Sequence, residues 1–429
     1  MHLPHPFNGW GIFTFSTRYT IAVIFAETLM ASTNKMPQSR LPNDVRRLLE
    51  LTEALTLSGS RLEDLYWEEQ LKQLIGKLFK GRKNRHVETA LDQLIPNQMQ
   101  AYEVLVELAE TFSESTELQH NGDYDVLLVS APILIWTRYQ LSLPAPLQPK
   151  DFNLIETAFR EHIAAQQACV ALLPQVISFE QMPQSFQDTA RLTQQLGKQA
   201  LTNEVKPVEI TPLAHTEGML ADARFVIAVI AVPKGQPVFR WQTTTAPAVL
   251  SRAQSLESWQ LAIEPCFNRL FAGCTVNYQQ PEAFFVSSRE ADRQIRPLAL
   301  KAAAIWLQNA ANLNGSDIRA TIVGCGESII EEYRVGFTTR QSNQVIYGCV
   351  WPILSKEEAS LNNEGLPDIP DHIAEQLAEV GIKEVKRLNG LAQGEICDDC
   401  GAPFFPNTLG EMMHPELPDE IDLEPRHFH

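Results

Sequence analysis

No apolar run in this chain is long enough to cross a bilayer, which takes about 20 residues as a helix. The nearest contender, Tyr19 to Leu29, is interrupted by Glu27 and preceded by Arg18 as its only fixed positive charge. It is a poor core for an export signal, and the sequence reads as a start downstream, at Met30 or Met36, with residues 1–39 outside the fold. Positive charge is scarce as well: 35 Lys and Arg stand against 52 Asp and Glu, a net charge of -17. Such a field repels phosphate backbones and anionic membrane surfaces, so neither nucleic acid nor membrane is expected as a direct partner. Cysteine is sparse and odd in number, with seven residues scattered mostly inside apolar runs such as Tyr347 to Trp351. That usage reads as reduced thiols in a cytoplasmic protein. Catalytic strings are missing too: there is no Ser-His-Asp order, no Cys-His nucleophile pairing, no HExxH and no GxSxG, and His162, His215 and His372 stand alone.

What the chain does have is ample apolar material, 44% of 429 residues, enough for two or three packed units. Residues 40–118 read as a helical domain. Asn43 is a plausible N-cap before Val45, Leu48, Leu49 and Leu55, Gly59 breaks the pattern, and further helices fit Leu62 to Phe79, Val87 to Ile95 and Gln98 to Phe112. The basic turn Lys80 to Arg85 between them is either a solvated connection or a dock for an acidic partner.

From Tyr124 the character changes. Val126 to Val129 and Ile133 to Trp136 are strand-like around Ala131-Pro132, followed by a helix over Asp151 to Cys169, a strand over Val170 to Phe179 and a helix over Gln184 to Leu201. Residues 220–314 repeat the order. A strand over Phe225 to Val232 turns at Pro233 into a returning strand, Val238 to Gln242, followed by a helix (Leu256 to Phe271), a strand (Cys274 to Ser287) and a helix (Arg296 to Leu313). Arg138-Tyr139-Gln140 and Arg240-Trp241-Gln242 occupy like positions, which implies a diverged duplication of units 119–205 and 220–314. Trp136 or Tyr139 and Phe239 or Trp241 would then pack alike. A weaker third copy spans 315–392, with strands at Ala320 to Val323, Tyr333 to Thr338 and Val345 to Leu354, a helix near Ile373 to Val380 and a strand at Glu384 to Leu388. The fold class is therefore α+β, a layered mixture of strands and helices.

Two candidate sites emerge. Cys397-Asp398-Asp399-Cys400-Gly401-Ala402-Pro403, with His414 after thirteen intervening residues, supplies three ligands of a tetrahedral zinc site on a short hairpin turning at Asn407 to Gly410. Glu411, Glu416, His427, His429, Cys349 or another chain would provide the fourth. A reduced, metal-free pair and a redox dithiol are the alternatives, although redox pairs normally open a helix, which Gly401 and Pro403 oppose. The second site is the charge-dense run Arg289, Glu290, Asp292, Arg293 and Arg296. With Arg334 and Arg340 it would clamp a phosphate or carboxylate, unless the local acids simply pair with it. Gly324 to Ser328 lacks the Lys-Ser/Thr of a phosphate loop and reads as a turn. Residues 391–429 hold nine acids against Arg426 alone, so the stretch from about Pro418 reads as disordered and suited to a basic partner surface.

The segment Tyr124 to Leu134 with Trp136 to Tyr139 resembles the hallmark of an uncharacterised proteobacterial protein family, domain of unknown function 2863. Ser60 to Asp64, Arg289 to Arg293, Glu332 to Phe337, Val345 to Gly348 and Cys397 to Pro403 follow it in order, so the resemblance runs from about Leu41 to Asp419 and omits the first 29 residues. It implies an identity without an activity. The combined expectation is a zinc-stabilised binding or assembly protein whose partner is another protein or a small anionic ligand. The alternative is an enzyme of unassigned class built on the arginines between the second and third units.

Overall fold

A computed structural model describes residues 41–81, 85–95, 98–138, 141, 147–202, 207–208, 210, 220–242, 250–327, 330–353 and 368–417. Residues 1–39, the centre of the basic turn and the acidic stretch after Leu417 lie outside them. The chain opens with helices α1 (Asn43–Thr56), α2 (Arg61–Lys80), α3 (His86–Leu94) and α4 (Met99–Glu114). Each turns an apolar stripe inward, Val45, Leu48 and Leu51 from α1 meeting Leu71 and Ile75 from α2 in one core. Asn43 is not the cap it was expected to be, since that place belongs to Pro42 and the Asn43 side chain accepts from Arg46 instead.

Two sheets follow. The first is built from β1 (Ser115–Gln119), β2 (Asp123–Trp136), β3 (Cys169–Leu172), β4 (Ile177–Ser178), β5 (Ala221–Pro233), β6 (Thr275–Tyr278) and β7 (Glu282–Ala283), interleaved with α5 (Pro149–His162), α6 (Phe186–Thr202), α7 (Arg252–Leu270) and α8 (Phe284–Ala310). At its centre β2 and β5 pair antiparallel over thirteen positions, Tyr124↔Pro233 through Trp136↔Ala221. Strands β3 and β4 pair with β5, whereas β6 and β7 pair with β2. The order strand-helix-strand-strand-helix thus occurs twice, and each run lays its short strands against the long strand of the other. The two segments share a single seven-stranded sheet.

Alternation along β5 sends Phe225, Ile227 and Val229 to the core with α6 and α8, and Val226, Ala228 and Ile230 to the core with α5 and α7. The sheet is covered on both faces, which is why β2 and β5 read as nearly continuous apolar runs. The second sheet has the order β10-β9-β8-β11, from β8 (Ile318–Cys325), β9 (Glu332–Thr339), β10 (Val345–Pro352) and β11 (Glu384–Ala392), the last pairing parallel to β8 after helix α9 (Ile369–Glu379). Among the described residues its element order is strand-strand-strand-helix-strand.

Several expectations are corrected. Strand β2 runs unbroken through Pro132, which falls between the stretch paired to β6 (Ile133 to Trp136) and that paired to β7 (Val129 and Ser130), where the neighbouring strand leaves the sheet. Val238 to Gln242 does not return as a strand: Arg240–Gln242 is a 3-10 turn, and Phe239 makes an isolated bridge to Ala164. Trp136 packs with the first core, while Phe239 and Trp241 stack on one another at 4.5 Å against the second; Tyr139 and Gln140 lie outside the described residues. Helix α5 stops at His162, and α8 begins at Phe284, twelve residues before the expected start, carrying Pro297 in its interior. Among the described residues, no helix is long and apolar enough to cross a membrane.

Candidate metal centre

The C-terminal hairpin is seated by two glycines. Gly336 on β9 and Gly348 on β10 are direct cross-strand partners. Because neither carries a Cβ, the backbone of Pro406 and the ring of Phe405 rest on the strand pair; a Cβ at Gly336 would lie 2.1 Å from the Pro406 carbonyl oxygen, and one at Gly348 2.3 Å from the Phe405 ring. Phe405 is fully buried there. It belongs to β12 (Phe405–Pro406), which pairs with β13 (Met412–Met413) in the register Phe405↔Met413 and Pro406↔Met412. Asn407 organises the turn between them, its Oδ1 accepting from Leu409 N at 2.8 Å and Glu411 N at 3.0 Å. The next position in this register sets His414 beside Phe404, and their rings meet edge to face at 6.2 Å.

Just upstream, the chain folds sharply on itself. Cys397 N donates to Ala402 O at 2.7 Å, Gly401 N donates to Cys397 O at 2.8 Å, and Gly401 takes φ 73°, a left-handed conformation natural to glycine. A bridge between Ile396 and Pro403 closes the loop. The turn aims the Asp399 and Cys400 N–H groups at the Cys397 sulfur, and these bonds, Cys400 first, hold that thiol below its ordinary range. The hairpin register then returns His414 to the same place, with Cys400 Sγ and His414 Nε2 3.1 Å apart. The Cys397, Cys400 and His414 ligand atoms all lie within 4.8 Å of one another, and among the described residues this is the one group placed to hold a metal ion. Cys400 is exposed and its two companions half-buried, so the site opens to solvent.

None of the expected fourth ligands joins this group among the described residues. Glu411 is taken by Asn407 Nδ2 at 2.8 Å, and Cys349 is buried in β10, where desolvation pushes its thiol up to about 12. His427 and His429 lie outside the described residues.

The arginines go to separate partners. Arg289 Nη1 pairs with Glu110 of α4 at 2.5 Å, and Arg293 lies 3.8 Å from Glu290 within α8. Arg296 is buried, donates to Pro352 O at 2.9 Å and lies over the Trp351 ring. Arg340, past the end of β9, pairs with Glu384 of β11 at 3.1 Å. Arg289, Arg293 and Arg296 do not follow a strand ending at Ser287, as the sequence suggested, but sit inside α8. Arg334 has a different task. Buried in β9 and held by Glu332 at 2.7 Å, it donates to Glu395 O at 2.5 Å and Phe404 O at 2.9 Å, the residues flanking the cysteine turn. Spacing gave no hint of that role, because Arg334 lies sixty residues upstream of the turn it fastens. Replacing Arg334 by Met would leave Glu332 without its partner and both carbonyls without donors, with an expected stability loss of about 3–5 kcal/mol. Chemical denaturation with parallel metal titration checks this; an unchanged midpoint and affinity would contradict it.

The Gly324 to Glu327 stretch leaves β8 for β9, a strand, as a turn does and a phosphate-binding loop does not. Comparison with protein families adds one finding: residues 33–428 match the family described as "Protein of unknown function (DUF2863)". The chain belongs to this family. No curated protein and no solved structure matches it. The matched span takes in both sheets and the whole hairpin, so the cysteine turn is part of the DUF2863 region of the chain.

Proposed function

We propose that this DUF2863 protein is a cytoplasmic binding or assembly protein whose C-terminal hairpin is clamped by a structural zinc ion on Cys397, Cys400 and His414. One observation carries the reading: two sulfurs and an imidazole nitrogen gathered within 4.8 Å on a turn whose N–H groups favour thiolate. Soft sulfur donors with one imidazole suit zinc above the hard cations. The redox alternative loses ground because Cys397 to Cys400 forms a turn and does not open a helix. Engagement of the five arginines with separate partners weighs against an enzyme built on them. The fourth position falls to water, to a tail histidine or to a partner protein, and the acidic stretch after Pro418 favours a partner with a basic surface. We also infer that the two strand-helix-strand-strand-helix runs descend from one duplicated unit, supported by their order and reciprocal pairing.

Elemental analysis of protein purified without chelator should find about one zinc per chain, absent from the Cys397→Ser/Cys400→Ser double variant and weakened less in His414→Ala. Metal-free wild-type protein would overturn the reading.

A further inference from the structure

The face of the first sheet that packs beneath α5 and α7 is apolar along most of β5, through Val226, Ala228, Ile230 and Val232. At the start of the strand the same alternation brings Asp222 and Arg224 to that face. Arg224 is fully buried, and its Nη2 lies 2.8 Å from Asp222 Oδ2. None of its three nitrogens, Nη2 included, makes a hydrogen bond, and neither does the Asp222 Oδ2, so the pair is a charge contact without hydrogen-bond geometry. Directly across the strand pairs, Arg224 faces Ile133 of β2 on one side and the buried Ser178 of β4 on the other. Opposed residues of an antiparallel pair share a face. Ile133 offers no acceptor, so the guanidinium's neighbours within the sheet are one carboxyl and one hydroxyl.

A buried guanidinium with open donors is costly, because each charged donor stripped of water forfeits its hydration without recovering it in hydrogen bonds. One carboxylate on one nitrogen does not balance this, and burial pushes the Asp222 carboxyl above its ordinary range despite the opposing pull of Arg224. An oxyanion would remove the deficit. The guanidinium donors that Asp222 leaves open can take the oxygens of a carboxylate or phosphate, and the Ser178 hydroxyl is a further donor on the same face. The pair meets solvent at Asp222, whose side chain is 10% exposed against 1% for Arg224.

We propose that Arg224, Ser178 and Asp222 form a binding site for a small oxyanion of the carboxylate or phosphate class, set in the sheet apart from the metal hairpin. The full-length chain would be melted against inorganic phosphate and against acetate, with chloride at matched ionic strength as reference. Either oxyanion should raise the melting temperature dose-dependently beyond chloride, and whichever acts alone identifies the class. Arg224→Lys keeps the charge but loses the guanidinium donors and should weaken the apparent affinity by about tenfold or more. Ser178→Ala removes one donor without touching the ion pair, with an expected weakening of about twofold to tenfold. It decides the matter should the Arg224 variant not fold. Zinc content should be the same in all three proteins, which separates this test from that of the metal site. No shift beyond chloride, or equal shifts in wild type and the folded variants, would overturn the proposal.

Discussion

Replacing Gly348 by Val should lift the C-terminal hairpin from the second sheet and empty the metal site without touching any ligand. The first added carbon alone falls 2.3 Å from the Phe405 ring, and on the facing strand the Pro406 backbone already rests against Gly336. Neither neighbour is the far end of a flexible chain, so the hairpin has to move. Phe405 then surrenders its burial, and with the overpacking strain the expected loss is about 2–4 kcal/mol. Metal content and hydrogen exchange over residues 395–417 are the measurements of choice. Gly76→Ala provides the contrast, since a Cβ there meets nothing within 4 Å and alanine favours the helix. A Gly348→Val protein with full metal content and unchanged exchange would show that the contact is dispensable.

The second large effect concerns pH. Where α3 and α4 pack against α6 and α8, burial pushes Glu88 to about 7, Glu114 to about 7 and Asp92 to about 6. The groups around them are mostly acidic. Asp92 and Asp188 face Glu88, Glu110 faces Glu114, and Arg289 opposes the shift of Glu114. All three folded values lie above the ordinary carboxylate range, so the sign is fixed. Their contribution is fully present below about pH 4, where folded and unfolded chains are both protonated, and is lost as pH rises through about 7. For Glu88 and Glu114 the loss is at most about 3 kcal/mol each, at about 1.4 kcal/mol per pKa unit. The melting temperature should therefore climb as pH falls from 8 to 6. A Glu88→Gln/Glu114→Gln variant should melt higher at pH 8 and respond more weakly to pH. If its pH profile parallels that of wild type, the dependence belongs to the net charge of the molecule and not to these carboxyls.

How far the sequence anticipated this structure depended on the kind of signal. The helices at Asn43, Arg61, His86 and Met99 could be read because their apolar residues keep a helical period and punctuation such as Gly59 separates them. The zinc-type turn was legible for the same local reason, since Cys397, Cys400, Gly401 and the hairpin that returns His414 lie within a short span. Ambiguity began where apolar character loses its period. Phe284-Phe285-Val286 looks like a strand but opens α8, because its aromatic residues fill the core between α8 and the sheet. Pro132 looked like the end of a strand, and only the gap between β6 and β7 explains its place inside one. Nothing local could have reported Arg224, whose importance lies in what a strand 46 residues away brings opposite it, or Arg334, which reaches across the fold to the Glu395 and Phe404 carbonyls.

The exchanged pairing of the first sheet has a consequence for how the molecule comes into being. Because β3 and β4 complete the sheet on β5, and β6 and β7 complete it on β2, neither half holds the strands that finish its own edge. During synthesis the first half must wait, with β2 unpaired on the side β5 will occupy, until the second half arrives. Its folding is governed by contacts distant in sequence, which form late and slowly. A chain severed between Thr202 and Leu220 would yield two fragments with open strand edges, each a template for the other and, in its absence, for aggregation.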